Sequence, residues 1–400
     1  MIMHNPTITR LRAKNYRSLA EVDITLGPLT VLVGPNGAGK SNLVDVLRFG
    51  RDALARGLDM ALMDRGGMVD IRCRTTSDQA IHLDFHFNSP NWWGQYGFAL
   101  SSASAAEYRV QWERLTTTEL DLAYDEDTQT LETKNDAIIQ LPEWMDRSLQ
   151  KRQLVASDQM LFLSPLSYYL TSTGQRPSFE AVKTFLSNMQ FYHIYPDALR
   201  EPQKPVNPYP LDEQGRNLAA ALNHLQQTQN YMALVEALEK VVPEVTGYSV
   251  DQVGGYLVTR LHHVSTAAGA PGHTFELAHE SDGTLRMLAI LAALYQDPPR
   301  PLIAIEEPEL TIHPGALGVL RDVLLEASRR SQIIITTHSP DLITGFPADV
   351  LRVVEKENGM TKVGPVTQSQ QEAIAEKLFS PGELMRIEGL RLAPSNSPGA

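Results

Sequence analysis

The sequence predicts an α/β protein in which a mixed sheet is flanked by helices and a large α+β lobe is inserted. An apolar strand at residues 29–33 is followed by a glycine-rich loop and an amphipathic helix at residues 41–55. Two further apolar runs, at residues 302–305 and 333–335, are separated by a helical stretch at residues 315–330. This spacing favours a βαβ unit of a parallel sheet.

The residue pattern divides the chain into four predicted parts. Residues 1–90 and residues 271–362 alternate strand and helix signals, so we expect them to form the two halves of one core. Residues 91–270 are rich in aromatic and turn residues, which indicates an inserted subdomain with helices and strands. Residues 363–400 predict a helical tail.

Several elements are predicted individually. Residues 80–87 alternate between apolar and polar side chains, as in a half-buried strand. A hairpin is expected around residues 124–127, and residues 218–242 form an amphipathic helical pattern. Ser380, Pro381 and Glu383 provide a capping box with proline at the first helical position, which predicts a helix start.

The composition limits the function classes. The chain of 400 residues is 42% hydrophobic, with a formal net charge of -12, so contact with nucleic acid requires a local basic patch. Its single cysteine, Cys73, excludes an internal disulfide framework and indicates a reducing compartment. No signal-peptide pattern and no apolar run of membrane-spanning length is present, and we therefore expect a cytoplasmic protein.

A phosphate-binding loop is predicted at residues 34–41, which read Gly-Pro-Asn-Gly-Ala-Gly-Lys-Ser. The segment matches G-x-x-x-x-G-K-[ST] and lies between a strand and a helix, as a P-loop requires. Glycines allow backbone amides to approach phosphate oxygens, Lys40 is placed to bridge the β and γ phosphates, and the Ser41 hydroxyl to bind Mg²⁺. The predicted nucleotide contacts in this region are Gly34, Asn36, Gly37, Ala38, Gly39, Lys40, Ser41 and Asn42.

Two apolar strands end in polar side chains. The first ends in Glu306 and Glu307, and the second leads through two threonines to His338. Both ends are expected at the same edge of the sheet, where Glu306 is predicted to bind the metal and Glu307 to polarise the attacking water. His338 is predicted to contact the γ-phosphate and this water. The predicted catalytic residues are Glu307, His338 and Lys40.

A serine and a glycine precede an apolar helix in the segment Glu-Ser-Asp-Gly-Thr-Leu-Arg at residues 280–286. On its own, this segment is compatible with an ordinary helix cap by Ser281 or Asp282. A hydroxyl group, an unobstructed backbone at Gly283 and a helix N-terminus also form an anion site, which the chain's own phosphate loop does not need.

The order of these segments resembles the ABC ATPase superfamily of P-loop NTPases. Within it, the chain is similar to the RecF, structural-maintenance-of-chromosomes and overcoming-lysogenization-defect proteins, and in particular to bacterial stand-alone predicted AAA-family ATPases without a Toprim nuclease domain. The residues that carry the resemblance, besides the phosphate loop, are residues 15–18, 191–195, 215–218, 281–286 and 306–309, with His313 and Pro314.

The resemblance implies an ABC ATPase head that binds ATP and Mg²⁺ and closes as a head-to-tail homodimer. In that family the counterparts of Ser281 and Gly283 bind the γ-phosphate held by the other subunit, Arg17 is placed to contact a nucleotide phosphate, and residues 309–314 cross the interface. The implied clients are DNA or a separate effector such as a nuclease, in genome maintenance or phage defence.

Two departures from the family pattern are visible. Glu306 replaces the usual aspartate at the metal position, and the Leu-Ser-Gly-Gly-Gln form of transporters is absent. Gln79 is the suggested counterpart of the glutamine that connects the metal site to the regulatory lobe.

Other function classes share parts of this pattern. A nucleotide-binding subunit of a membrane transporter shares the core, but the large insertion and the signature argue against it; a non-hydrolysing ATP-sensing scaffold is a further alternative. The sequence lacks the base-reading motif of a GTPase, which argues against that class. Few residues follow His338, so we expect no appended nuclease domain. The acidic residues 121 and 125–127 are expected to form a solvated turn rather than a metal site.

Overall fold

The computed structural model of the chain describes residues 6–76, 80–102, 108–118, 121–125, 130–134, 161, 177–205, 209–264 and 272–394. The strands of the described residues, in chain order, are β1 (Thr7–Tyr16), β2 (Leu19–Thr25), β3 (Leu29–Val33), β4 (Ile81–Ser89), β5 (Trp92–Ser101), β6 (Arg109–Thr117), β7 (Asp121–Asp125), β8 (Thr130–Lys134), β9 (Gln190–Tyr192), β10 (Val245–Val253), β11 (Tyr256–His263), β12 (His273–Glu276), β13 (Leu302–Glu306), β14 (Gln332–Thr337), β15 (Leu351–Glu357) and β16 (Met360–Gly364).

The α-helices of the same residues are α1 (Lys40–Ala55), α2 (Leu58–Met63), α3 (Met68–Ile71), α4 (Pro177–Ser187), α5 (Pro196–Arg200), α6 (Leu218–Leu225), α7 (Asn230–Val241), α8 (Asp282–Leu294), α9 (Leu317–Ala327), α10 (Pro340–Ile343), α11 (Gln368–Ala375) and α12 (Pro381–Ile387). Short 3-10 helices cover Leu277–His279, Pro314–Ala316 and Ala348–Val350.

A six-stranded sheet has the strand order β16-β15-β3-β14-β13-β9. Strands β15, β3, β14, β13 and β9 are parallel to one another, and β16 pairs antiparallel with β15. Helix α9 connects β13 to β14, so the predicted βαβ unit is confirmed. Because parallel strands end at the same edge, the carboxyl ends of β3, β13 and β14 lie side by side.

Both faces of this sheet are buried, which explains why its strands read as continuous apolar runs. Successive side chains point to opposite faces. Leu302 and Ala304 pack in a core shared with α1 and the first sheet of the chain, whereas Ile303 and Ile305 pack with α8 and α9. The sheet is therefore flanked by helices, as the sequence predicts.

A seven-stranded antiparallel sheet has the order β2-β1-β4-β5-β6-β7-β8. The predicted alternation in β4 is confirmed, because its burial alternates along the strand. Strands β5 to β8 follow residue 90 but extend the sheet that begins before it, and β9 joins the six-stranded sheet beside β13. The division of the chain at residues 90, 270 and 362 stays a prediction, and these pairings place strands of residues 91–270 in both large sheets.

The prediction of one helical stretch at residues 218–242 is wrong in one respect, because two helices, α6 and α7, form there. Between them, the Thr228 hydroxyl donates to the Leu225 carbonyl at 2.9 Å and accepts from Asn230 N at 3.2 Å. These local bonds compete with the helical hydrogen-bond ladder and interrupt it. In the parts of the chain that the structure describes, no helix is long and apolar enough to span a membrane.

A three-stranded sheet, β10-β11-β12, packs on α6 and α7 through Val245, Tyr248 and Leu261. The predicted hairpin near residues 124–127 corresponds to the antiparallel pair β7 and β8, although residues 126–129 lie outside the described residues. The capping box at Ser380 is confirmed at the start of α12.

Candidate functional site

The loop between β3 and α1 is shaped by glycines at both ends. A Cβ atom on Gly34 would lie 2.0 Å from the Val354 carbonyl oxygen, and one on Gly39 would lie 2.0 Å from Thr361 Oγ1. Gly39 also has a φ of 108°, which L side chains rarely adopt. The loop is thus packed closely against β15 and β16, and it leads directly into the N-terminus of α1, where amide groups attract anions.

Lys40 lies in the interior of this loop. Its side chain is 6% exposed, and Nζ donates to the carbonyl oxygens of Gly34 at 2.7 Å and Pro35 at 3.3 Å. The same nitrogen is 3.5 Å from Glu307 Oε1. The ammonium group therefore stands between the phosphate loop and the end of β13.

Ser41 and Glu306 are directly hydrogen-bonded, with Ser41 Oγ donating to Glu306 Oε2 at 2.7 Å. Glu306 is the last residue of β13 and is buried, while Ser41 belongs to the first turn of α1. Arg48, two helical turns after Ser41, places Nη2 3.4 Å from the other oxygen of Glu306. A hydroxyl group and a carboxylate next to each other are ligands that suit Mg²⁺.

Glu307 and His338 form the second polar pair at this edge. His338 Nδ1 lies 2.6 Å from Glu307 Oε2, so one of the two ring nitrogens is occupied by the carboxylate. Glu307 adopts the left-handed region with a φ of 45°, a conformation that costs of order 1–3 kcal/mol. It is held there by a hydrogen bond from Glu307 N to the Thr336 carbonyl oxygen at 3.0 Å.

Glu309 completes this group of acids. Potential ligand atoms of Glu307, Glu309 and His338 lie within 4.8 Å of one another. Burial raises the pKa of Glu309 to about 7, and the Thr337 hydroxyl, which donates to Glu309 Oε1 at 2.5 Å, partly opposes that rise. The raised pKa means that Glu309 keeps its proton to a higher pH than an ordinary glutamate does.

The other predicted contacts of the loop region have different surroundings. Asn36 is exposed, whereas Asn42 Nδ2 donates to Ser18 Oγ at 2.7 Å behind the loop. Arg17 has a φ of 51° and pairs with Asp45 of α1 at 3.1 Å. Arg17 lies between β1 and β2, and its side chain contacts the helix that follows the loop.

Ser281 and Gly283 lie at the N-terminus of α8. Ser281 Oγ accepts a hydrogen bond from Thr284 N at 3.2 Å, which is the ordinary cap that the sequence allows. A Cβ atom on Gly283 would lie 2.7 Å from the Thr311 carbonyl oxygen, so packing alone requires a glycine there. The hydrogen bonds recorded for Ser281 among the described residues stay within its own helix start and do not reach residues 34–41.

Helix α8 is nevertheless connected to the end of β13 by Arg286. Its guanidinium donates to the carbonyl oxygens of Ile194 at 2.5 Å and Glu307 at 2.8 Å. Desolvation by burial lowers the pKa of Arg286, and the nearby carboxylate of Glu309 counteracts this. Arg286 therefore joins helix α8 to the backbone of Glu307.

Sequence reasoning did not identify Arg48, Arg286 or Thr361 as parts of the site. Arg48 had a usable signal, because a residue seven positions after Ser41 lies on the same helix face. Thr361 had none, since it approaches the loop from a distant strand. Gln79, suggested as a link to the regulatory lobe, lies outside the described residues.

The residues present fit a magnesium nucleotide. The loop offers backbone at Gly34 and Gly39, a buried ammonium group, and a hydroxyl group that contacts a carboxylate. Polyphosphates are bound by such loops, and Mg²⁺ takes one or two protein oxygen ligands alongside phosphate oxygens.

Comparison with known proteins agrees with this geometry. Residues 10–240 match the family described as AAA domain. Residues 162–344 match the family described as AAA domain, putative AbiEii toxin, Type IV TA system. The chain is 35% identical over 97 residues to an OLD nuclease from Thermus scotoductus, a match covering 22% of this chain and 16% of that protein. It is 40% identical over 82 residues to the DNA replication and repair protein RecF from Corynebacterium jeikeium, covering 20% and 19% respectively. The matches thus span less than a fifth of each of these relatives.

Solved structures show the same fold at low identity. An Smc head bound to the C-winged helix domain of ScpA superposes with a TM-score of 0.51 at 14% identity, covering 91% of this chain and 99% of that chain. A head domain with coiled coil and joint from Pyrococcus yayanosii gives a TM-score of 0.50 at 12% identity, covering 93% and 99%. Since the AAA domain match spans more than half of the chain, the protein belongs to the AAA domain family; short segments of it are similar in sequence to RecF and OLD proteins, and its fold is similar to that of Smc heads.

Proposed function

We propose that the chain binds ATP and Mg²⁺ at the carboxyl edge of the six-stranded sheet and hydrolyses ATP there. The observation that carries this proposal is the convergence of polar side chains from three strand ends. Lys40 and Ser41 follow β3, Glu306 and Glu307 end β13, and His338 follows β14, with contacts of 2.7 Å between Ser41 and Glu306 and 2.6 Å between Glu307 and His338.

Each side chain has a chemical role in this proposal. Lys40 neutralises phosphate charge from inside the loop, and Ser41 and Glu306 hold the metal ion. A bound Mg²⁺ ion supplies charge neutralisation and polarises phosphate oxygens. Glu307 accepts the proton of the attacking water, and His338 keeps that carboxylate oriented through Nδ1.

The proposal includes ATP-dependent dimerisation of two chains, head to tail. In the part of the chain that the structure describes, no hydrogen bond joins Ser281 or Gly283 to residues 34–41, yet both residues lie at a helix N-terminus, which attracts anions. In a dimer this helix start would cap the nucleotide of the partner. Arg286 would then connect the capping helix of one chain to its own Glu307.

The ATP-dependent dimerisation is proposed to act on DNA or on a partner effector, in genome maintenance or phage defence. The support is similarity to a RecF protein and to an OLD nuclease over short segments. With a net charge of -12, the chain would need a local basic surface or a second protein to hold DNA.

The test measures hydrolysis and molecular size for the wild type and for Glu307→Gln. The variant keeps the shape of the side chain but cannot accept a proton, so we expect turnover to fall by about 100-fold or more while ATP affinity is retained. Light scattering should show a dimer of Glu307→Gln with ATP and Mg²⁺ and a monomer without ATP. The hydrolysis assay is repeated with duplex DNA. If DNA is the client, DNA should stimulate turnover; if the client is a protein, DNA should leave turnover unchanged.

Glu236→Gln is the matched control, because Glu236 is an exposed carboxylate on α7, outside the site. It should leave turnover unchanged. Equal turnover for wild type and Glu307→Gln would contradict the catalytic role and favour a non-hydrolysing scaffold. A variant that remains monomeric with ATP at high concentration would contradict the dimer.

A further inference from the structure

Arg48 lies between two carboxylates that belong to distant parts of the chain. Its Nη2 atom is 3.4 Å from Glu306 Oε1, and its Nε atom is 3.9 Å from Glu213 Oε2. Glu306 ends β13 at the proposed metal site, whereas Glu213 lies in the segment between α5 and α6. One guanidinium group is therefore shared between the nucleotide site and residues 201–217.

The contact of Arg48 with Glu213 is only half formed. Arg48 Nε is buried and has no hydrogen-bond partner among the residues that the structure describes. A buried donor without a partner is unfavourable, and hydrogen bonds to a carboxylate form at about 2.9 Å. From 3.9 Å, a shift of about 1 Å towards Glu213 would satisfy this donor.

Glu213 itself is held in place, so Arg48 is the mobile member of the pair. Glu213 Oε1 is 2.7 Å from Arg51 Nη2, and its carbonyl oxygen accepts from His193 N at 2.9 Å. Arg48 and Arg51 both lie over the ring of Phe191, at 5.3 Å and 4.8 Å from its centroid. Glu213 is thus fixed against α1 and against the end of β9.

We propose that Arg48 is a positioning residue that exchanges one carboxylate for the other. Without a divalent cation it neutralises Glu306, and with a divalent cation at Ser41 and Glu306 it pairs with Glu213 instead. The proposal rests on the proposed role of Glu306 as a metal ligand. The physical reason is that a cation on Glu306 repels the guanidinium group, while Glu213 offers it a second, fixed acceptor nearby.

The exchange couples the metal site to residues 190–217. Metal binding strengthens the Arg48 to Glu213 pair, and anything that strengthens this pair favours metal binding by the same factor. When a divalent cation is bound, the stronger Arg48 to Glu213 pair then holds the segment that contains Glu213 more firmly against α1. This gives the nucleotide site a route to the part of the chain between β9 and α6.

The test is a double-mutant cycle with the dissociation constant of Mg²⁺ as the readout, measured by titration in the presence of a non-hydrolysable ATP analogue. Arg48→Gln removes the competing cation, so Mg²⁺ should bind about 5-fold more tightly. Glu213→Gln removes the alternative acceptor, so Mg²⁺ should bind about 5-fold more weakly. In the Arg48→Gln background, Glu213→Gln should have no effect.

The cycle separates partner exchange from simple electrostatics. Charge alone gives the same signs for the single variants, but the two effects would then add, and the Glu213→Gln effect would persist without Arg48. An additive cycle therefore overturns the proposal. Arg56→Gln is the matched control, because Arg56 directly follows α1 and forms an ion pair with Asp64 at the surface. It should leave the Mg²⁺ constant unchanged.

Two further measurements keep the result unambiguous. Ser41→Ala and Glu306→Gln should each weaken Mg²⁺ binding; if neither does, the proposed metal site is wrong, whereas an additive cycle with weakened binding removes only the exchange. Hydrogen exchange in the wild type needs no variant to fold. The amide of His193, which donates to Glu213, should exchange more slowly with analogue and Mg²⁺ than with analogue and EDTA. Equal rates overturn the proposal.

Discussion

At the scale of single residues, Glu309 is a buried carboxyl group that lies two positions after Glu307 in the chain. Its side chain lies against Thr337, and desolvation raises its pKa to about 7. The proximity of the Glu307 carboxylate acts in the same direction. An acid that is neutral in the folded chain but ionised in the unfolded chain makes stability depend on pH.

We expect Glu309 to destabilise the fold as the pH rises. Its folded pKa lies above the unfolded value, so its contribution is fully present below pH of about 4.5 and is lost as the pH rises towards and through 7. Between pH 5 and pH 8 the free energy of unfolding should fall by about 3 kcal/mol from this group. Glu309→Gln, which is neutral at every pH, should lack this fall in urea unfolding with EDTA.

The comparison variant is Glu355→Gln, an exposed carboxylate on β15. Its unfolding free energy should follow the wild type at each pH. If wild type and Glu309→Gln show parallel pH curves, the pKa of Glu309 is not raised in the folded chain.

The residues of the site differ in how far the sequence predicts them. Lys40 and Ser41 stand in one continuous motif, and Glu306, Glu307 and His338 end apolar runs, so local patterns place them at one sheet edge. Arg48 was accessible in part, through its helical spacing from Ser41. The partner of Arg48, Glu213, was not accessible, because that contact depends on how residues 209–217 pack on α1, which no local pattern specifies.

At the element scale, the phosphate loop is supported by the β15–β16 hairpin. Thr361 of β16 shares a hydrogen bond with Ser18 at 2.6 Å and donates to the Ala38 carbonyl oxygen at 2.8 Å. Asn42 of α1 joins this group through Ser18. Three separate elements thus hold the back of the loop, and the loop has little freedom to move away from β16.

Alanine substitution at two glycines should measure this support. Both Gly37 and Gly39 have positive φ, but a Cβ atom on Gly37 meets nothing within 4 Å, whereas one on Gly39 lies 2.0 Å from Thr361 Oγ1. We expect Gly37→Ala to cost about 1 kcal/mol of backbone strain and Gly39→Ala at least about 3 kcal/mol. Chemical denaturation gives both values.

Gly37→Ala is the control for backbone strain in this pair. Equal losses of stability for the two variants would mean that Thr361 yields easily and that β16 does not support the loop. A larger loss for Gly39→Ala, relieved in part by Thr361→Ala, would agree with the contact.

The elements themselves follow from sequence to different degrees. The strands β3, β4, β13 and β14 were predicted because each is short and bounded by turn residues or has a clear period. The break between α6 and α7 was missed, since Thr228 interrupts the helix through side-chain hydrogen bonds while the apolar period continues across it. The role of β9 as a neighbour of β13 was also missed, because a three-residue strand carries almost no pattern.

At the scale of the whole molecule, the proposed dimer predicts that the start of α8 acts on another chain. Ser281→Asp should test this without damage to the fold, since aspartate is as good an N-cap as serine and favours the helix dipole. Stability should change by no more than about 0.5 kcal/mol. In the Glu307→Gln background, the added carboxylate should repel the partner's phosphate and abolish ATP-dependent dimerisation, as measured by light scattering.

Ser380→Asp provides the control, because Ser380 is the N-cap of α12 and is not part of the site. Dimerisation should survive that change. A Ser281→Asp chain that still dimerises with ATP would show that the start of α8 does not approach the partner's phosphate.

The order of strands in the six-stranded sheet also has a consequence for the chain during its synthesis. Strand β3 leads into the phosphate loop, but its sheet neighbours are β14 and β15. These strands leave the ribosome roughly 300 residues later, which at about 5–20 residues per second is a delay of about 15–60 s. Until then β3 has neither of its hydrogen-bonding neighbours, and such non-local pairing slows folding. Because the loop follows β3 directly, the proposed ATP site is expected to form only after β14 and β15 have been translated.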